Sequence, residues 1–169
     1  MSGASPVFPS PSAPPPAATT ASRLLVCERS GQWAGALRRE LAETGLRVWE
    51  SRSLAECWEL LAATPASFVV VELTESHVEG LLRRMTWLER DFPLARVAVV
   101  AQRRLADWQW LVREAGAVHF TCSPRQVAPL AEMACRHLAG VPPPPQSLTD
   151  RIWAALPWRG AGQRKIGGQ

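Results

Sequence analysis

The residues best suited to chemistry in this 169-residue chain are four cysteines and three histidines, and their spacing argues against most of what they could do. Cys27, Cys57, Cys122 and Cys135 are separated by 30, 65 and 13 residues with no CxxC pair. They form neither a zinc-ligand pattern nor a disulfide framework, and each lies in an apolar segment where a thiol serves as a small buried hydrophobe. His77, His119 and His137 are dispersed and read as surface or structural residues rather than catalytic ones. There is no GxGxxG and no phosphate-binding loop. Neither a metal nor a cofactor is therefore expected, and no catalytic residue is assigned. The chemistry that remains is recognition. Ile152, Trp153, Leu156 and Trp158 gather four large apolar groups just before Arg159, Arg164 and Lys165. Such a cluster suits a short helix that docks into a partner's groove. Packing back on its own domain is the second reading, and lying in a membrane interface the third.

Charge narrows the class of partner. The formal net charge is +4, yet residues 23–139 hold 15 Arg against 14 acidic residues, so the excess sits mainly in residues 140–169. A compact domain with balanced charge lacks the basic footprint that a phosphate backbone requires, and no nucleic acid is expected on it. No apolar run reaches the roughly 18 residues needed to cross a membrane. Residues 1–21 have neither the basic start nor the apolar core of a secretory signal, which makes a cytoplasmic location the expectation. The skew of 18 Arg to one Lys, with no Tyr or Asn, fits GC-rich codon usage and carries no function.

Proline marks the segment boundaries. Six of the 15 prolines fall within residues 6–16 and four form the run Pro142 to Pro145. Residues 1–21 are expected to be a disordered arm, 22–140 a folded domain, 141–146 a stiff polyproline spacer, and 147–169 the aromatic tail. Within the domain the hydrophobic period alternates between two and 3.6. Strand-like runs cover Leu24 to Cys27, Leu46 to Trp49, Phe68 to Leu73, Val97 to Ala101 and Val118 to Cys122. Amphipathic stretches lie between them. The first ends at Gly45, a left-handed cap. Ser53 and Glu56 form a capping box for the next, and Leu105, Trp108, Val112 and Ala115 make the inward stripe of the fourth. Five β-α units in a domain of this size imply an α/β fold with a parallel sheet covered by helices on both faces.

Five features in this order resemble the receiver domain of bacterial response regulators. Leu24 to Glu28 resembles its first strand with the acidic end, and Gly45 falls at the turn into the second strand. FVVVEL (68–73) resembles the strand that ends at the phosphoacceptor, with Gly80 eight residues beyond Glu72. AGAVHFTCSP (115–124) resembles the stretch that leads to Lys-Pro. The resemblance implies a flavodoxin-like, doubly wound five-stranded sheet of order 2-1-3-4-5. It also implies that the phosphorylation site is degenerate. The acid pair that would hold Mg²⁺ corresponds to Glu28 and Arg29, the phosphoacceptor to Glu72, the hydroxyl position to Ala101, and the lysine to Ser123. A guanidinium in place of an oxygen ligand repels a cation. The longer side chain of Glu72 displaces its carboxylate from where an acyl phosphate would form.

By the same resemblance, Glu28 and Glu72 sit at the ends of adjacent strands, where two unpaired carboxylates would repel. Either Arg29 bridges them, locking the site in one state, or Arg29 points to solvent and Glu72 accepts a hydrogen bond from a loop amide. Function then resides in surfaces. Trp110 falls opposite the fourth-helix stripe and Trp87 opposite the third, so both are expected to be exposed, and these two with Phe120, which the resemblance places at the aromatic switch position of the fifth strand, are the domain's candidate partner contacts. The first expectation for function is a non-catalytic, phosphorylation-independent adaptor in bacterial signalling that binds a protein partner and can pair with itself through its fourth and fifth helices. The alternatives are a divergent working receiver and an enzyme or ligand-binding protein on a related doubly wound fold.

Overall fold

A computed structural model describes residues 22–142; the arm at 1–21 and the tail cluster of Ile152, Trp153, Leu156 and Trp158 lie outside the described residues. The elements follow as β1 (Leu24–Cys27), α1 (Gln32–Glu40), β2 (Val48–Ser51), α2 (Leu54–Ala63), β3 (Phe68–Leu73), α3 (Val78–Thr86), a single turn α4 (Leu88–Asp91), β4 (Arg96–Ala101), a 3-10 segment (Arg103–Trp108), α5 (Gln109–Glu114), β5 (His119–Thr121) and α6 (Ala128–Gly140). The sheet is parallel throughout, in the order β2-β1-β3-β4-β5. This is the doubly wound architecture expected. No helix among the described residues is long and apolar enough to cross a membrane.

Because side chains alternate across a strand, each central strand feeds two cores. Leu25, Cys27, Val69, Val71, Val97 and Val99 face α2, α3 and α5, while Leu24, Val26, Phe68, Val70, Ala98 and Val100 face α1 and α6. β1 and β3 are buried along their whole length, which is why they read as apolar runs interrupted only by Glu72 near the end of β3. The same period of two gives Glu28 the parity of Leu24 and Val26, and Glu72 that of Phe68 and Val70. Both acids therefore emerge on the α1 side.

Helix ends follow local chemistry. Ser53 Oγ caps α2 by accepting from the Glu56 N–H at 3.2 Å, and Glu56 returns to the N–H of Arg52 at 2.9 Å. α1 ends at Glu40, and a turn carries the chain to Gly45, whose φ of 70° supplies the left-handed conformation expected there. The largest departure concerns the fourth helix. It opens as a 3-10 segment with Leu105 off helical geometry (φ −103°, ψ 16°), and α-helix runs only over Gln109–Glu114. The tighter winding rotates Trp108 out of the expected stripe, and its ring is 36% exposed although Leu105 and Val112 remain buried. Of the cysteines, Cys27 and Cys57 are buried as expected, but Cys122 and Cys135 are only half-buried.

Two histidines couple the fold to pH. His137 Nε2 lies 3.0 Å from the Ala66 carbonyl, and its ring packs against Phe68. Burial lowers the His137 pKa below 6.5, with Arg96 acting in the same sense against the Ala66 hydrogen bond. Burial and then Arg113 lower that of His119. Both rings bind a proton less readily in the folded chain than in the unfolded one. Their contribution is thus present above the unfolded value of 6.5 and is lost as pH falls through the lower folded values. The melting temperature is expected to drop between about pH 7 and pH 5, with His137→Gln flattening the slope in a thermal scan series.

Candidate functional site

The site lies where β1 and β3 end. After β1 the chain turns through Gly31, whose φ of 78° places it in the left-handed region at the N-cap of α1. Glycine has no side chain with which to cap a helix, and Glu28 supplies the missing acceptor from three residues upstream. Its carboxylate, 2% exposed, accepts from the N–H of Trp33 at 2.9 Å, the N–H of Ala34 at 2.5 Å and Ser30 Oγ at 3.2 Å. An anion against the first turn is also where the helix dipole favours it.

Glu72, 8% exposed, points to the same place, and its Oε2 accepts from the backbone N–H of Arg29 at 3.2 Å. Its own carbonyl accepts from His77 Nε2 at 2.7 Å, while His77 Nδ1 meets Thr74 Oγ1 at 2.5 Å. The two contacts tie the β3–α3 loop to the end of its strand.

The Arg29 side chain is exposed and makes no ion pair with either glutamate. Of the two arrangements open to it, the solvent-facing one is found, with Glu72 on a loop amide. Arg29 contributes backbone only: its N–H binds Glu72, and its carbonyl accepts Arg52 Nη1 at 2.8 Å. Arg52 also pairs with Glu50 at 3.2 Å, and Glu50 with Arg38. A small cavity of about 140 Å³ remains, walled among others by Glu28, Glu72, Arg52 and His77. Cys27 lines it as well and shares the core on the α2 side with Cys57. The interaction with Cys57 lowers the Cys27 pKa, and the interaction with Cys27 together with burial raises that of Cys57.

The structure thus brings Glu28, Arg29 and Glu72 together. It does not bring Ser123 to them: Ser123 lines a separate cleft beyond β5. Ala101 ends β4 beside Leu73, fully buried and without a polar atom to offer. The residues present do not fit a divalent cation. Glu28 is committed to amides, the neighbouring Arg29 side chain is exposed and offers no oxygen ligand, and no group of three or more metal-ligating side chains exists among the described residues. Arg52 and His77 are the site residues that sequence reasoning missed. A basic residue just before the α2 cap was the only signal for Arg52, and His77 had none beyond its place at the start of α3.

Of the expected contact residues, Trp110 is 70% exposed and Trp87 is 50% exposed, the latter under the Arg90 guanidinium at 4.2 Å. Phe120 corrects the expectation. It is 7% exposed and belongs to the core facing α2, α3 and α5, because the pleat of β5 turns it inward.

No family model and no curated protein sequence matches the chain. Solved structures do match in fold. A response regulator from Thermotoga maritima superposes with a TM-score of 0.59 at 21% identity over 71% of this chain and 99% of its own. A CheY-like protein from Pseudomonas aeruginosa gives 0.55 at 20% over 69% and 98%, and an orphan response regulator of H. pylori gives 0.56 at 17% over 69% and 96%. The described domain therefore has the response-regulator receiver fold.

Proposed function

We propose that this chain is a pseudo-receiver, a module that works in bacterial signal transduction by binding protein partners without being phosphorylated. One observation carries the reading: the two carboxylates at the strand ends are occupied by the protein's own backbone, Glu28 by Trp33 and Ala34 and Glu72 by Arg29. Those hydrogen bonds do for the loops what a bound cation and a phosphoryl group would do in a switching receiver, and they hold one arrangement permanently. The solved structures of like fold support the signalling context. Incubating the full-length chain with acetyl phosphate and Mg²⁺ is expected to leave its intact mass unchanged. A phosphoryl adduct that disappears in Glu72→Gln would establish the alternative of a working, divergent receiver.

Recognition then falls to the exposed Trp110 and Trp87 on the domain and to the apolar cluster Ile152, Trp153, Leu156 and Trp158 in the sequence of the tail. Pairing of two copies through the 3-10 segment with α5 and through α6, the fourth and fifth amphipathic stretches of the sequence, is part of the same reading. Deletion of residues 147–169 is expected to abolish co-purification of a partner while leaving the domain's melting temperature in place. Undiminished capture by the truncated chain would remove the docking role from the tail.

A further inference from the structure

A second cleft opens beyond the ends of β4 and β5, about 340 Å³ in volume and walled by Arg103, Cys122, Ser123 and Gln126. No carboxylate lines it, in contrast to the smaller cavity that holds Glu28 and Glu72. Its loop is fixed by backbone: the Ser123 N–H donates to Thr121 Oγ1 at 3.3 Å, and the Ser123 carbonyl accepts from the Gln126 N–H at 2.9 Å. That leaves three polar side chains unused. Among the described residues the Arg103 guanidinium, the Ser123 hydroxyl and the Gln126 carboxamide have no hydrogen-bond or ion-pair partner, and Asp107, one turn beyond Arg103, makes no ion pair with it.

Guanidinium groups without an ion pair stand on and near the cleft. The loops at this end of the sheet carry Arg29, Arg52, Arg103, Arg104 and Arg125. Of the acids there, Glu28 and Glu72 are buried on amides, Glu56 binds the Arg52 N–H, and Glu75 pairs with Arg104 at 3.0 Å. Asp107 and Glu56 remain as exposed acids without an ion pair, while Arg52 and Arg104 are paired with Glu50 and Glu75, so the guanidinium groups without an ion-pair partner among the described residues are those of Arg29, Arg103 and Arg125. Their field reaches the cleft wall, since burial raises the Cys122 thiol pKa while Arg103 draws it back down.

We propose that this cleft binds a tetrahedral oxyanion, either inorganic phosphate or the phosphate group of a monoester. A planar guanidinium presents paired donors that match two phosphate oxygens, and a hydroxyl and a carboxamide N–H can serve the others. The volume admits the phosphate with a small organic substituent. Binding is non-covalent, and no phosphoryl group is transferred.

The test is a titration of the ¹⁵N-labelled full-length protein with inorganic phosphate and, separately, with glycerol 3-phosphate, chloride holding the ionic strength constant. Saturable shifts are expected at the amides of Ser123 and Gln126. The tighter of the two ligands identifies whether the free ion or the ester is the preferred form. Arg103→Ala is expected to weaken binding at least about tenfold, whereas Arg29→Ala, outside the cleft, changes it less than about twofold. Ser123→Ala combined with Gln126→Ala provides a second variant that keeps the guanidinium. Failure of both ligands to saturate, shifts spread evenly over the arginine rim, or full affinity in Arg103→Ala would overturn the assignment.

Discussion

Glu28→Ala is expected to lower the stability of the domain by about 2–3 kcal/mol, because two buried amides lose their acceptor at once. Trp33 and Ala34 are 2% and 0% exposed, so water cannot reach their N–H groups as freely as it reaches an ordinary helix end. Glu28→Gln keeps one oxygen as acceptor and is expected to cost about half as much. Arg29→Ala leaves both hydrogen bonds intact, since the residue contributes its backbone, and should stay within about 0.5 kcal/mol of the parent. Urea unfolding with matched m-values ranks the three. An Arg29→Ala cost equal to that of Glu28→Ala would instead make the guanidinium the partner of the carboxylates.

Phe120→Ala should cost about 3 kcal/mol or more, the usual penalty for emptying a buried aromatic site. Trp110→Ala is the matched comparison. With 70% of that residue exposed, its truncation is expected to leave stability within about 0.5 kcal/mol and to act on partner binding alone. Thermal or urea unfolding of the two variants separates a core aromatic from a contact aromatic. If Phe120→Ala unfolded like the parent protein but lost its partner, Phe120 would return to the recognition surface.

Much of the fold was legible because it rests on hydrophobic periodicity. Phe68–Leu73 is apolar but for Glu72 because it is buried on both faces, and Ser53 with Glu56 announces the start of α2. Trp108 leaves the inward stripe for a definite cause: the stripe holds at the 100° per residue of an α-helix, whereas the segment from Arg103 is wound as 3-10 with Leu105 off helical geometry. Phe120 was placed by analogy of position rather than by the alternation of its own strand, which puts it on the inner face. The candidate site was legible in its members and illegible in its bonding. Whether Arg29 met the acids through its side chain or its main chain depended on the turn at Gly31, and the direction of that turn appears only in three dimensions.

The sheet's outer strands bear on how anything can attach to this domain. β2 spans four residues and β5 three. Along β2, Glu50 is engaged by Arg38 and Arg52, and Arg23 stacks 3.9 Å over the exposed Trp49. A strand laid against either border would gain only a few rungs of main-chain pairing and on the β2 side would have to displace charged side chains. Extension of the sheet by a partner or by a further copy of the chain is thus disfavoured, and with it the strand-to-strand route to fibrous self-assembly. Whatever binds this domain must read side chains.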